Sequence, residues 1–242
     1  MIMTLRTLLA FAAALSLAAA CNEARQPDEH TRASTGPAPD STAAADTTPV
    51  ILFLGNSLTA GYGLTAEEAF PALIQAKLDS AGYRYRVVNA GVSGETSAGG
   101  LRRIDWLLRL PVAVLVLELG ANDALRGQDL DHTRRNLQEI IDRTRARYPD
   151  ASIVIAGMQA PPNLGRAYTE EFRRIFVQLA RDNDAALIPF LLEGVAAVPH
   201  LNQEDGIHPT AEGHRIIAEN VWRVLEPVLR ARQEASKPVH LY

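Results

Sequence analysis

The chain has 242 residues, 47% of them hydrophobic, and a formal net charge of −4. That hydrophobic share allows a sizeable core, and the lack of a basic excess argues against nucleic acid as a partner. Cys21 is the single cysteine, which excludes an internal disulfide framework.

The first twenty residues have the composition of a signal peptide. Arg6 and the terminal amine supply a positive region, and an apolar stretch follows at residues 8–20. This stretch is shorter than the roughly 20 residues that span a membrane, but it is typical of a secretory signal. We therefore expect residues 1–20 to be a signal peptide and the protein to be exported to the periplasm.

The signal ends in Leu17-Ala18-Ala19-Ala20-Cys21, which resembles a bacterial lipobox with Ala18 where the best examples have leucine. In such a motif the cysteine becomes the lipidated first residue, so Cys21 is the predicted lipidation site. Asn22 in the next position resembles lipoproteins that are sent on to an outer membrane. The alternative is ordinary cleavage that leaves Cys21 as a free thiol.

Residues 22–48 contain no Val, Ile, Leu, Met or aromatic side chain. Such a segment has nothing to bury against its conformational entropy, so residues 21–48 are predicted to form a disordered tether. Residues 49–242 fit a single domain by size. We expect this domain to be a monomer that contacts the membrane only through its N-terminal lipid anchor.

The predicted domain alternates apolar strands with amphipathic helices. The predicted strands are residues 50–54, 84–89, 112–117, 153–156 and 186–190. The predicted helices follow a capping-box sequence at residues 65–68, cover residues 98–110, begin at Asp131, include residues 172–179 and follow Pro209. Continuous apolar strands between helices indicate an α/β fold with a parallel, doubly wound sheet that is covered on both faces.

The most distinctive loops directly follow the first three strands. They are rich in glycine and polar residues, and they comprise residues 55–63, 91–96 and 120–123. Because parallel strands all end at one edge of the sheet, we expect these loops to lie side by side. Ligand sites in such sheets form at that edge.

Residues in these loops and near the carboxyl terminus can supply the groups that acyl transfer needs. Ser57 would attack the carbonyl carbon, His208 would take and return its proton, and Asp205 would orient the imidazole. Asp205 and His208 are three residues apart with Gly206 between them, so a tight turn can bring the carboxylate to one ring nitrogen.

The oxyanion that develops in acyl transfer needs hydrogen-bond donors. The backbone amides of Ser57 and Gly94 and the side-chain amide of Asn122 are the candidate donors. The candidate residues also have simpler interpretations: Ser57 as a helix cap or phosphate contact, Asn122 as an N-cap, His208 as a packed turn residue, and Asp205 as an Asx turn.

Four sequence blocks resemble those of the SGNH (GDSL) hydrolases, in the same order: Gly55-Asn56-Ser57-Leu58, Ser93-Gly94-Glu95-Thr96, Gly120-Ala121-Asn122-Asp123 and Asp205-Gly206-Ile207-His208-Pro209. The resemblance covers residues 50–230 and is closest to the periplasmic thioesterase, lysophospholipase and arylesterase branch. It implies a flavodoxin-like three-layer α/β/α fold with a five-stranded parallel sheet, no metal or other cofactor, and broad ester specificity. The family's serine, glycine, asparagine and histidine fall on Ser57, Gly94, Asn122 and His208, with the supporting aspartate at Asp205. The family's usual aspartate before the serine is Asn56 here.

Other classes of site fit the sequence poorly. Residues 55–63 lack the Gly-Lys-Ser/Thr ending of a P-loop, and Ser57 is not in the Gly-x-Ser-x-Gly turn of an α/β-hydrolase. The histidines show no zinc-binding pattern, and we expect His214 to lie on a helix surface. The competing function is a non-catalytic lipid- or glycan-binding lipoprotein on the same fold, which would keep the pocket and lose a member of the triad.

Overall fold

A computed structural model describes residues 47–236 of the chain. The predicted signal peptide, the lipidation site at Cys21 and the tether as far as residue 46 lie outside the described residues. The strands are β1 (Val50–Gly55), β2 (Arg86–Gly91), β3 (Val112–Glu118), β4 (Ser152–Ala156) and β5 (Ala186–Ile188). The α-helices of the described part are α1 (Ser57–Ala60), α2 (Phe70–Ala81), α3 (Ser97–Leu107), α4 (Ala121–Leu125), α5 (Leu130–Arg147), α6 (Arg166–Asp182) and α7 (Ala211–Ala235).

The five strands form one parallel sheet in the order β2-β1-β3-β4-β5. Every residue of β1 and β3 is buried, as their unbroken apolar sequences predict for strands covered on both faces. The chain leaves β1 toward β2 on one side and later returns to place β3 on the other side. This reversal of direction at β1 creates the crevice in which doubly wound sheets bind their ligands.

Helices cover both faces of the sheet. Helix α2 packs against α7, while α3 packs against α5, and α5 packs in turn against α6. Their buried stripes meet the apolar strands in one continuous core, which includes Phe53, Phe70, Leu115 and Phe172. The predicted parallel α/β fold is therefore confirmed.

Several element boundaries differ from those that the sequence predicted. The second strand begins at Arg86 rather than residue 84, and α3 ends at Leu107, before Pro111. The capping-box sequence forms its own turn, in which Glu68 Oε2 accepts a hydrogen bond from the Thr65 backbone at 3.0 Å. Helix α2 begins only at Phe70, so Pro71 lies in the first turn, where its missing N–H costs nothing.

Within residues 47–236, none of the helices combines the length and the apolar character that crossing a membrane requires.

Candidate active site

Ser57 is presented at the carboxyl end of the central strand β1. The strand ends at Gly55, and Asn56 caps the short helix α1 by accepting a hydrogen bond from Leu58 N on its Oδ1 at 2.9 Å. Ser57 is thus the first residue of α1 rather than its cap. Its backbone N–H therefore has no acceptor within the helix, and its side chain faces the loop before α7.

Ser57, His208 and Asp205 lie in one line of hydrogen bonds. The distance from Ser57 Oγ to His208 Nε2 is 3.0 Å, and the distance from His208 Nδ1 to Asp205 Oδ2 is 2.6 Å. Both distances allow direct proton transfer or hydrogen bonding without a bridging water. The structure therefore brings the three predicted catalytic side chains together, although Ser57 and His208 are 151 residues apart in the chain.

Asp205 uses its second oxygen to hold the turn that carries His208. Its Oδ1 accepts hydrogen bonds from the backbone N–H groups of Ile207 and His208, each at 3.0 Å. The hydrogen bonds from the His208 side chain and backbone, followed by that from Ile207, lower the pKa of Asp205 to about 2. The Asx-turn interpretation and the catalytic interpretation thus describe two oxygens of the same carboxylate.

The segments that carry Ser57 and His208 are joined by further contacts. The ring of Tyr62 packs against the imidazole of His208 with ring centroids 4.5 Å apart. Gln203 Nε2 donates to the carbonyl oxygens of Tyr62 and Pro209, at 2.7 and 2.9 Å. Pro209 is not part of helix α7, which begins at Ala211, but its carbonyl helps to fix the loop.

The predicted oxyanion donors follow the three adjacent strands β1, β2 and β3. Gly94 lies in a tight turn after β2 with φ of +78°, a value that L side chains adopt at a cost. Asn122 lies inside α4 rather than at its N-cap, which is Gly120, and its Nδ2 donates to the carbonyl of Glu95 at 2.9 Å. This bond joins the β3 loop to the β2 loop next to Gly94.

His214 is buried rather than on the helix surface, so the prediction for this residue is wrong. Only 1% of it is exposed, and its Nδ1 accepts a hydrogen bond from Phe70 N at 3.0 Å. Burial lowers the pKa of His214 to about 4, so the ring is neutral at pH 7. Among residues 47–236 there is no group of three or more His, Cys, Asp or Glu side chains placed to hold a metal ion.

The sequence comparisons identify the family. Residues 53–216 match the GDSL-like lipase/acylhydrolase family. The esterase TesA of Pseudomonas aeruginosa is 43% identical to the chain over 180 residues, which cover 74% of this chain and 89% of that protein. The chain belongs to the GDSL-like lipase/acylhydrolase family. It is therefore a serine hydrolase that acts on ester bonds.

Further relatives are similar to the chain in sequence and in structure. The thioesterase 1/protease 1/lysophospholipase L1 of Escherichia coli K12 is 41% identical over 189 residues, covering 77% of this chain and 86% of the relative. The crystal structure of TesA superimposes with a TM-score of 0.71 at 42% identity, covering 74% of this chain and 99% of that one. An esterase EstA from Pseudoalteromonas sp. gives the same TM-score at 34% identity, covering 75% and 98%.

A buried carboxyl group that the sequence analysis missed lies behind Ser57. Glu118, the last residue of β3, has no exposed surface and accepts hydrogen bonds from Asn56 and Thr59. Burial raises the pKa of Glu118 to about 7, and the hydrogen bonds from Asn56 and Thr59 oppose that rise. Its position where a buried strand meets a site loop was the one sequence signal that could have found it.

Proposed function

We propose that this protein hydrolyses carboxylic esters through an acyl-enzyme intermediate on Ser57. The observation that supports this most directly is the hydrogen-bonded line from Ser57 Oγ through His208 to Asp205. A hydroxyl, an imidazole and a carboxylate in this order form the arrangement by which a serine becomes a nucleophile.

The reaction would proceed in two steps. In the first, Ser57 Oγ attacks the carbonyl carbon while His208 Nε2 takes the hydroxyl proton, and the imidazolium then protonates the leaving group. In the second, water attacks the acyl-serine and gives its proton to the same nitrogen, which passes it to Ser57 Oγ as the bond from Oγ to the acyl carbon breaks and the carboxylic acid is released. Asp205 keeps the tautomer in which Nδ1 donates, so that Nε2 is free to accept.

The negative charge that forms on the carbonyl oxygen in each step needs donors on the opposite side from the imidazole. We propose that the Ser57 and Gly94 backbone amides and the Asn122 side-chain amide supply them. The loss of one such donor typically costs about 3 kcal/mol of transition-state stabilisation. The bond from Asn122 to the carbonyl of Glu95 supports this assignment, because it holds the amide group beside Gly94.

A fluorophosphonate probe tests the nucleophile. We expect the protein to be labelled on Ser57 and Ser57→Ala to abolish both labelling and esterase activity. Ser80→Ala, which removes an exposed hydroxyl on α2, is the matched control and should label as the wild type does. Failure of folded wild-type protein to label would favour the non-catalytic lipid- or glycan-binding alternative.

We propose that the substrates are aryl and acyl esters, among them thioesters or lysophospholipids. The names of the relatives, which include esterase, arylesterase and thioesterase/lysophospholipase, support this range. Tyr62 and Ile207, which adjoin or contact His208, are about half exposed, so the mouth of the site offers apolar surface to such substrates. Rates on nitrophenyl esters of increasing chain length, an acyl thioester and a lysophospholipid would establish the preference, and uniformly negligible rates would contradict the proposal.

We propose further that the protein acts as a monomer in the periplasm, anchored to the outer membrane through lipid on Cys21. The apolar stretch at residues 8–20 and the lipobox-like sequence before Cys21 support this location. Mass spectrometry of the mature N-terminus tests directly whether Cys21 carries the lipid. An unmodified Cys21 would contradict the lipid anchor.

A further inference from the structure

The Glu118 carboxyl group is surrounded by hydrogen-bond donors from the segment that carries Ser57. Its Oε2 accepts from Asn56 N at 3.0 Å and from Thr59 Oγ1 at 2.8 Å, and its Oε1 accepts from Asn56 Nδ2 at 2.7 Å. The two donor residues lie on either side of Ser57. The carboxyl group therefore holds both ends of the turn from which the serine projects.

These bonds also decide which way the Asn56 amide group points. Because Nδ2 donates to Glu118, Oδ1 faces the opposite side, where it accepts from Leu58 N at 2.9 Å and lies 3.4 Å from Ser57 Oγ. With the acceptor at residue 118 removed, the amide would lose the bond that fixes its NH2 end, and a flipped amide would present a donor to the Leu58 N–H. The cap of α1 depends on this orientation.

The backbone around the carboxyl group leaves no spare room. A Cβ atom at Gly55 would lie 2.5 Å from Glu118 Oε2 and 2.0 Å from Thr59 Oγ1. Both distances are shorter than any real contact of a Cβ, so only glycine allows β1 to pass this close. The carboxyl group and the turn are thus packed as a unit.

We propose that Glu118 is a positioning residue for the esterase reaction, acting through Asn56 and Thr59 to fix the side chain and the backbone amide of Ser57. The inference rests on the proposed role of Ser57 as nucleophile and oxyanion donor. A small displacement of a nucleophile lowers the rate of the chemical step more than substrate binding. A loss of Glu118 should therefore appear in kcat rather than in KM.

The pairing is specific in its direction: residue 56 donates and residue 118 accepts. Glu118→Gln replaces one acceptor oxygen by an NH2 group and so opposes donor to donor. Adding Asn56→Asp reverses the pair, because the new carboxylate can accept from the new amide while its other oxygen still caps Leu58 N. The double variant therefore restores a hydrogen bond without restoring the original residues.

The test compares E118Q with N56D/E118Q at pH 8, above the pKa of Glu118, where its carboxylate is ionised and accepts at both oxygens; kcat and KM on a nitrophenyl ester and the melting temperature are measured. We expect E118Q to lower kcat by at least about tenfold with KM changed less than about twofold, and the double variant to recover most of kcat. An unchanged kcat in E118Q, or a double variant no better than E118Q, would overturn the proposal.

Two further variants separate positioning from general destabilisation. Asn183→Ala removes a buried amide that bonds to Gln138 and Leu179, far along the chain from the site, and should lower the melting temperature while leaving kcat unchanged. If it lowered kcat as much as E118Q does, the proposal would fail. Should E118Q not fold, Thr59→Val removes a single donor isosterically; a kcat decrease is expected and an unchanged kcat overturns the inference.

Fluorophosphonate labelling of the wild type keeps the two proposals distinct. Without labelling, the proposed function itself fails. If the wild type is labelled and kcat of E118Q is unchanged, the assignment of Ser57 as nucleophile is supported and the positioning role of Glu118 alone is refuted.

Discussion

The two oxygens of Asp205 divide the work of placing His208. Oδ2 pairs with the ring nitrogen Nδ1 of His208, and Oδ1 accepts from the backbone N–H groups of the turn, so each of these partners is a hydrogen-bond donor. Because all of these partners donate, they favour the ionised carboxylate, which explains the lowered pKa of about 2. The charge of Asp205 is therefore constant at any pH above about 4, and its titration cannot produce the acid limb of a pH–rate profile there.

Asp205→Asn should abolish most of the activity while leaving the turn in place. The Asn oxygen can still accept from the two backbone N–H groups, but the amide NH2 would donate to His208 Nδ1. The proton of the imidazole would then sit on Nε2, which could no longer accept from Ser57. We expect kcat to fall by about 10⁴-fold with little change in KM, measured on a nitrophenyl ester.

Glu204→Gln removes an exposed charge from the preceding residue and serves as the control, which should keep wild-type kcat. A loss of less than about tenfold in Asp205→Asn would show that the tautomer of His208 is not set by this carboxylate.

The sequence predicted the three catalytic residues better than it predicted the buried residues around them. Ser57, His208 and Asp205 occur in short blocks with a fixed order, so local patterns sufficed to single them out. Glu118 was missed because its partner Asn56 is 62 residues away, and a position at a strand end does not by itself show that the charge will be buried. His214 was misplaced although it shares helical spacing with the buried Ile217, Val221 and Leu225, a signal that the sequence did contain.

At the scale of elements, the short helix α1 fits closely against the end of β2. A Cβ atom at Gly91 would lie 2.2 Å from Ala60 N and 2.7 Å from Ala60 Cα, and both are backbone atoms that cannot rotate away. Since α1 begins with Ser57, any displacement of this helix moves the nucleophile. The glycine at the end of β2 is thus a requirement of the site as much as of the sheet.

Gly91→Ala should accordingly impair activity and stability together. The added methyl group forces α1 away from β2 at a cost of about 1–3 kcal/mol in the free energy of unfolding. We expect kcat to fall by at least about tenfold, because displacing a catalytic group by about 1 Å can cost 100-fold. Steady-state kinetics and urea unfolding measure the two effects.

Gly82→Ala provides the comparison, because a Cβ atom added there, at the end of α2, would have no atom from the rest of the protein beyond its immediate chain neighbours within 4 Å. Its φ of +75° makes alanine strained, so the free energy of unfolding should fall by about 1–2 kcal/mol. Wild-type kcat is expected there, and a similar loss of kcat in both variants would contradict the local explanation.

The sequence predicted which elements exist better than where they end. Apolar runs marked each of the five strands, but helix ends depend on partners that are distant in the chain. Helix α2 shows this: Ala69 at its N-cap has no side-chain acceptor, and the first N–H, that of Phe70, is satisfied by His214 from α7. A cap supplied by another helix leaves no trace in the sequence around α2.

At the scale of the whole molecule, two buried groups titrate in opposite senses. The folded-state pKa of Glu118 is about 7 against 4.5 for the free side chain, so the folded state keeps a proton that the unfolded state loses. Stability from Glu118 is therefore complete below pH 4.5 and is lost as pH rises to about 7. The pKa of His214 is about 4 against 6.5, so its contribution is complete above pH 6.5 and is lost as pH falls.

Between pH 5 and 6.5 the two effects should nearly cancel. Each group changes the free energy of unfolding by about 1.4 kcal/mol per pH unit, or about 2 kcal/mol across this window, with opposite signs. Asp205, with its pKa near 2, changes stability at lower pH and leaves the window clear. The free energy of unfolding of the wild-type protein should thus depend little on pH in this window, although each group on its own would produce a slope.

Single substitutions should reveal the hidden slopes. In Glu118→Gln, His214 is the one member of this pair that still titrates, so the free energy of unfolding should rise by about 2 kcal/mol from pH 5 to 6.5. His214→Gln keeps an acceptor for Phe70 N and removes the titration, so stability should fall by about the same amount over that range. Urea unfolding at several pH values measures each slope. The E118Q/H214Q variant, like the wild type, should show a free energy of unfolding that hardly changes across the window. Slopes of the same sign in the two single variants would contradict this account. Burial favours the neutral form of each group, and a carboxyl group is neutral at low pH whereas an imidazole is neutral at high pH.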